Sequence, residues 1–133
     1  MLRFVVRFLT LSTVLFCMAT HAQTASTDEA YVALAKFSGG ATSRGVILRW
    51  VTTVEKNNSG FEIERSDDNV NFETIAFIKG NGTTAEMKQY GFFDRGAYGR
   101  VYYRLKRISY DGSFEYLPIL EVEARVPKAL SMK

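Results

Sequence analysis

From residue 31 onwards the chain alternates apolar and polar side chains with a period of two, and clusters of turn-forming residues interrupt the alternation at short intervals. No stretch carries the 3.6-residue period of an amphipathic helix. Seven strands are predicted. The first, Tyr31–Phe37, sets Val32, Leu34 and Phe37 inward around one irregular step, and the run from Ser38-Gly39-Gly40 to Gly45 closes it. The second, Val46–Thr53, places Val46, Leu48 and Trp50 on one face and Arg49 on the other. Lys56-Asn57-Asn58-Ser59-Gly60 reads as a turn, because Asn and Gly tolerate positive φ and Asn and Ser bond to their own backbone. The third strand, Phe61–Ser66, turns Phe61 and Ile63 inward and Glu62 and Glu64 outward.

Asp67-Asp68-Asn69 leads into a fourth strand, Phe72–Lys79, with Phe72, Ile75 and Phe77 as its apolar positions. Gly80-Asn81-Gly82 is a further turn, since Asn-Gly is a strong short hairpin signal. Lys88–Phe93 is the fifth strand, and Gly96 to Gly99 breaks the chain again. The sixth, Val101–Ser109, sets Val101, Tyr103 and Leu105 inward and Arg104 and Lys106 outward. Asp111-Gly112 forms a two-residue turn into the seventh, Ser113–Ala124, with Phe114, Tyr116, Leu120 and Val122. Pro118 makes that strand an edge or breaks it. Seven short antiparallel strands around a core Trp50 give an all-β, seven-stranded antiparallel β-sandwich of immunoglobulin-like type, with a small closed barrel as the alternative. There is no internal repeat or low-complexity tract.

The first 22 residues follow another logic. Arg3 and Arg7 precede an apolar run from Phe8 to Ala19, and Thr20-His21-Ala22 places small residues at −3 and −1 before Gln23. This is the pattern of an N-terminal signal peptide. The run is shorter than the roughly 20 residues that span a bilayer. An uncleaved anchor is the alternative; Phe16 before Cys17 does not fit lipid attachment. The expected organisation is a signal peptide at 1–22, a flexible leader at 23–30, the sandwich at 31–124 and a polar tail at 125–133. No membrane span is expected after cleavage.

Removing the signal peptide changes the chemistry. His21 and Cys17 are the single histidine and cysteine of the 133-residue chain, and both fall within it. Residues 23–133 therefore cannot build a Ser-His-Asp triad, a cysteine nucleophile, a Cys/His zinc site or a disulfide. Without Arg3 and Arg7, the 17 Lys and Arg residues fall to 15 against 14 acids. The net charge of +3 is thus partly a property of the signal peptide, and it is weak ground for nucleic-acid binding.

The run Gly45-Val-Ile-Leu-Arg-Trp50, followed by Glu55-Lys-Asn-Asn-Ser-Gly-Phe-Glu-Ile-Glu-Arg-Ser66, resembles a recurrent module of exported Bacteroidota proteins. Segments similar to Asn71-Phe-Glu-Thr-Ile, Gly80-Asn-Gly-Thr-Thr84, Tyr102-Tyr-Arg-Leu-Lys106, Asp111-Gly112 and Phe114-Glu-Tyr116 follow in the same order. The module is fibronectin type III-like and often precedes the C-terminal sorting domain of type IX secretion substrates. The resemblance covers residues 31–124 and implies a spacer or interaction domain of the kind attached to proteases, glycosidases and adhesins, with the chemistry elsewhere in those proteins. The sorting domain that it leads one to expect after the last strand is not among these residues. That implies either a reading frame that continues or a module exported by another route.

Carboxylates are the remaining acid–base groups. Glu62 and Glu64 share one strand face with Cα atoms about 6–7 Å apart, a spacing a glycosidase pair could use. The plainer reading is a solvated face with Arg49, or Arg104 and Lys106, as cross-strand partners. Asp67, Asn69 and Asn71 follow the opening of a calcium loop, but Phe72 and Ile78 stand where its Gly and Glu belong, which favours an Asx-capped turn. Tyr98, Tyr102 and Tyr110 are candidates for ligand contact: an exposed, coplanar row would stack on sugar rings, and otherwise they cover the sandwich end. Arg100, Arg104, Lys106 and Arg107 form a basic cluster that Glu62, Glu64, Glu115, Glu121 and Glu123 offset.

These observations give an exported protein of the cell surface, extracellular space or periplasm, monomeric and non-catalytic, with no cofactor and no metal. Its expected partner is a protein or a glycan, not nucleic acid. A small carbohydrate-binding module using the three tyrosines is the alternative.

Overall fold

The computed structural model describes residues 28–125. Seven strands follow in order: β1 (Tyr31–Thr42), β2 (Gly45–Ser66), β3 (Glu73–Thr84), β4 (Lys88–Asp94), β5 (Gly99–Ser109), β6 (Phe114–Tyr116) and β7 (Leu120–Ala124). Every pairing is antiparallel, and the described residues contain no helix. The strands form one sheet curled into a half-barrel. The expected signal peptide, most of the expected leader and the residues after Arg125 lie outside the described residues.

The 22-residue strand β2 is the spine of the fold. Its first half pairs with β1 and β4, and its second half with β3 and β5. A straight strand would place Trp50 and Phe61 about 36 Å apart. Their ring centroids are instead 5.6 Å apart at an interplanar angle of 73°. β2 therefore folds over so that its two halves face each other. The inward phase also switches: even positions 46, 48 and 50 are buried before the bend, and odd positions 61 and 63 after it. That switch needs an irregular step, and register shifts fall between Glu55 and Asn58 and between Asn58 and Gly60. Asn57, at φ 51°, supplies the left-handed residue.

Two expected turns are thereby corrected. Lys56–Gly60 does not separate two strands but is the bend of β2, since β1 stays paired through Lys56 while β3 pairs from Glu55. Gly80-Asn81-Gly82 lies inside β3, where Gly82 at φ 67° kinks the strand under the Tyr110 ring. β1 likewise runs through Ser38-Gly39-Gly40 to Thr42, leaving only Ser43 and Arg44 as the connection. The expected seventh strand is split, with Leu117-Pro118-Ile119 between β6 and β7.

The core joins both arms of the curl: Val46, Leu48 and Trp50 from one, and Phe61, Ile63, Val101, Tyr103 and Leu105 from the other. Tyr90 of β4 stacks on Trp50 at 5.3 Å and 10°. Two polar knots pin the arms. At the bend, Glu55 is 1% exposed and accepts from Thr52 Oγ1 and Asn58 Nδ2 (both 2.8 Å), the Asn81 amide (2.9 Å) and the Tyr90 hydroxyl. At the other end, buried Asp94 accepts from Arg65 Nη1, the Tyr103 hydroxyl (2.7 Å) and the Gly96 amide.

Candidate functional site

The outer face of β3, β2, β5 and β6 combines two ion pairs with aromatic rings. Strand register aligns Phe77 with Glu62, Glu62 with Lys106, and Lys106 with Tyr116. A row Phe77–Glu62–Lys106–Tyr116 therefore crosses four strands on one side. A second row pairs Thr74 with Glu64 and Glu64 with Arg104. Lys106 Nζ lies 3.1 Å from Glu62 Oε2, and Arg104 is ion-paired with Glu64. The hydrogen bond to Glu62 holds the Lys106 ammonium above its ordinary pKa.

Aromatic rings frame these pairs. The Arg104 guanidinium sits between Phe72 (4.1 Å) and Tyr116 (3.8 Å), and Lys106 lies 4.5 Å from the Phe114 centroid. Phe77, Phe114 and Tyr116 remain 51%, 54% and 48% exposed. Gly60 leaves room for the Phe77 ring: a Cβ there would run into the Ile78 carbonyl oxygen and stand 2.5 Å from that ring, so the ring lies across bare backbone.

The expected cross-strand partners of Glu62 and Glu64 are thus Lys106 and Arg104, not Arg49. The face is less solvated than expected, because Glu64 is itself buried and the other three charged groups are largely covered. Both carboxylates are committed to cations, Glu62 to Lys106 and Glu64 to Arg104.

The three candidate tyrosines do not come together. Tyr98 precedes β5 and Tyr110 follows it, at opposite ends of an 11-residue strand and about 30 Å or more apart. Both are exposed, while Tyr102 is half-buried on the outer side of β5, the side shared by Arg104 and Lys106. In the Asp67–Asn71 loop, Asp68 acts as the cap: it accepts from the Asn71 and Val70 amides, Asn71 Nδ2 and the Ser66 hydroxyl. Those bonds hold its carboxyl far below the usual range and occupy both oxygens. Among the described residues no cluster of three His, Cys, Asp or Glu side chains has metal-binding geometry.

Phe114 and Tyr116 escaped the sequence reading for a reason of register. A two-residue Asp111-Gly112 turn would set Tyr110 opposite Ser113 and Tyr116 opposite Arg107, which is an inward position. The loop instead has three residues. The Ser109 amide donates to Ser113 O at 2.9 Å, the Gly112 amide donates to Ser109 O at 3.0 Å, and Gly112 has φ 85°. One extra loop residue turns the strand over and presents both rings outward beside Lys106 and Ile108.

No family model matches the chain, and no curated protein matches it. Among solved structures it is similar to the β-1,2-glucanase from Parabacteroides distasonis, with a TM-score of 0.53 and 15% identity. The match covers 72% of this chain and 13% of the glucanase chain. At that identity the likeness concerns the fold alone.

Proposed function

We propose that the chain is an exported, non-catalytic interaction module, fibronectin type III-like in build, whose working surface is the outer face of β3, β2, β5 and β6. The fibronectin-like reading is supported by the pairing order: β1–β2–β4 on one side of the curl and β3–β2–β5–β6/β7 on the other, with the bend of β2 joining two facing layers. It agrees with the resemblance to modules of type IX secretion substrates. The glucanase likeness adds a fold and no chemistry, since it involves only 13% of that enzyme.

The observation that carries the interaction reading is the half-exposed set Phe77, Phe114 and Tyr116 around two ion pairs. Aromatic and Arg side chains are the residues enriched where proteins meet. Carboxylates that could catalyse are already engaged: Glu55, Glu64 and Asp94 are buried on fixed donors. A sugar platform fits less well, because Phe114 and Tyr116 meet edge-on at 65° and share no plane. The test places a photo-crosslinking phenylalanine analogue at Phe77, and at Arg49 of the opposite layer as control, in producing cells. A discrete adduct from position 77 and none from 49 is expected. Equal labelling from both, or glucan hydrolysis that Glu62→Gln abolishes, would sink the proposal.

A further inference from the structure

Read across the strands, the face is self-complementary. The order along its central row is aromatic, acid, base, aromatic: Phe77, Glu62, Lys106, Tyr116. A two-fold axis lying in the interface, parallel to the strands and between β2 and β5, reverses that order without shifting its height along the axis. Laid on its own copy, the row then places Phe77 on Tyr116, Glu62 on Lys106, Lys106 on Glu62 and Tyr116 on Phe77. The neighbouring Glu64 and Arg104 columns meet acid to base under the same operation. We infer that the partner of this face is a second copy of the chain, in an isologous dimer.

This inference rests on the reading of the face as an interaction surface and departs from the monomer expected from the sequence. Charge complementarity selects the second copy. A like-charged row would repel its copy and need a partner of opposite sign, whereas a row of alternating sign beside two aromatic ends is satisfied by itself. Part of the desolvation is already met within one chain: the side chains of Glu62 and Lys106 are 25% and 21% exposed before any partner arrives. A sheet-on-sheet contact is the aligned packing that twisted sheets adopt.

The experiment is sedimentation of the full chain, as wild type and as Lys106→Glu and Glu62→Lys variants, with near-ultraviolet circular dichroism and thermal unfolding to show that each variant folds. The wild type is expected to dimerise between micromolar and millimolar concentration. Each single variant creates a like-charged row, loses two intermolecular pairs at once through the symmetry, and should raise the dimer Kd at least tenfold. Mixing the two variants restores acid over base, so an equimolar mixture should return to dimer within a few-fold of wild type. A wild-type chain that stays monomeric overturns the inference, as does a mixture that associates no better than its parts. The interaction reading is judged separately: a Phe77 adduct with a different protein would keep it, and would differ in mass from an adduct of two copies.

Discussion

Glu55 is 1% exposed, and a carboxylate so placed costs several kcal/mol unless donors surround it. Burial alone would raise its pKa, but the bonds from Tyr90, Asn58, the Asn81 amide and Thr52 outweigh burial and hold it below the ordinary glutamate range. The donors are not equivalent. Oε2 faces two N–H groups, which can only donate, whereas Oε1 faces the hydroxyls of Thr52 and Tyr90. In Glu55→Gln the amide oxygen can occupy the Oε2 place and the NH2 can donate to the hydroxyls, for a loss of about 1 kcal/mol. Glu55→Ala strands all four donors and opens a cavity, for about 3–5 kcal/mol. Urea unfolding of both variants checks the argument. Equal losses would mean that the charge, not the acceptor geometry, holds the bend.

At the level of the strand, what the sequence revealed depended on whether alternation or turn chemistry carried the signal. Alternation correctly separated Val46, Leu48 and Trp50 from Arg49, and Phe61 and Ile63 from Glu62. It was legible because one buried face forces a period of two. The Asn- and Gly-rich clusters marked positions of positive φ, at Asn57, Asn69, Gly82 and Gly112, but not what the chain does there. The same local geometry serves a reversal at Gly112, a bend at Asn57 and a kink at Gly82, and only pairing partners far along the chain decide among them. The β6 end of the candidate face was missed for that reason, since the outward setting of Phe114 and Tyr116 depends on a loop one residue longer than read. The Tyr110–Gly112 loop is therefore testable. Gly112→Ala meets no steric neighbour but must adopt φ 85°, and should lose about 1 kcal/mol in thermal unfolding. No loss would mean that the loop relaxes without help from glycine. Asn57→Val at the bend forces a β-branched residue into the left-handed region and should cost more than Asn57→Gly.

Across the described residues, the groups whose pKa is shifted fall into an acid limb and an alkaline limb. The sole histidine lies at position 21, so residues 23–133 contribute no imidazole near neutrality. Glu55 has a folded pKa below its reference of 4.5, so its contribution is present above that value and fades as pH falls through the lower folded one. Tyr90 and Tyr103 have folded pKa values raised well above 10, by burial first and then by their bonds to Glu55 and Asp94. Their contribution is full below about pH 10 and is lost as the phenols are driven to ionise. Thermal midpoints should thus be flat from about pH 6 to 9 and decline on both sides; a step near pH 6.5 would contradict this assignment. The same plateau constrains the dimer. Lys106 stays protonated throughout it, so association should not vary with pH there. Salt should still weaken it, because the row pairs meet at a partly exposed surface where a Debye length of about 10 Å at 0.1 M falls to about 3 Å at 1 M. Association that ignores salt would mean that the aromatic ends carry the contact, and the charge-swapped mixture would then gain nothing over its parts.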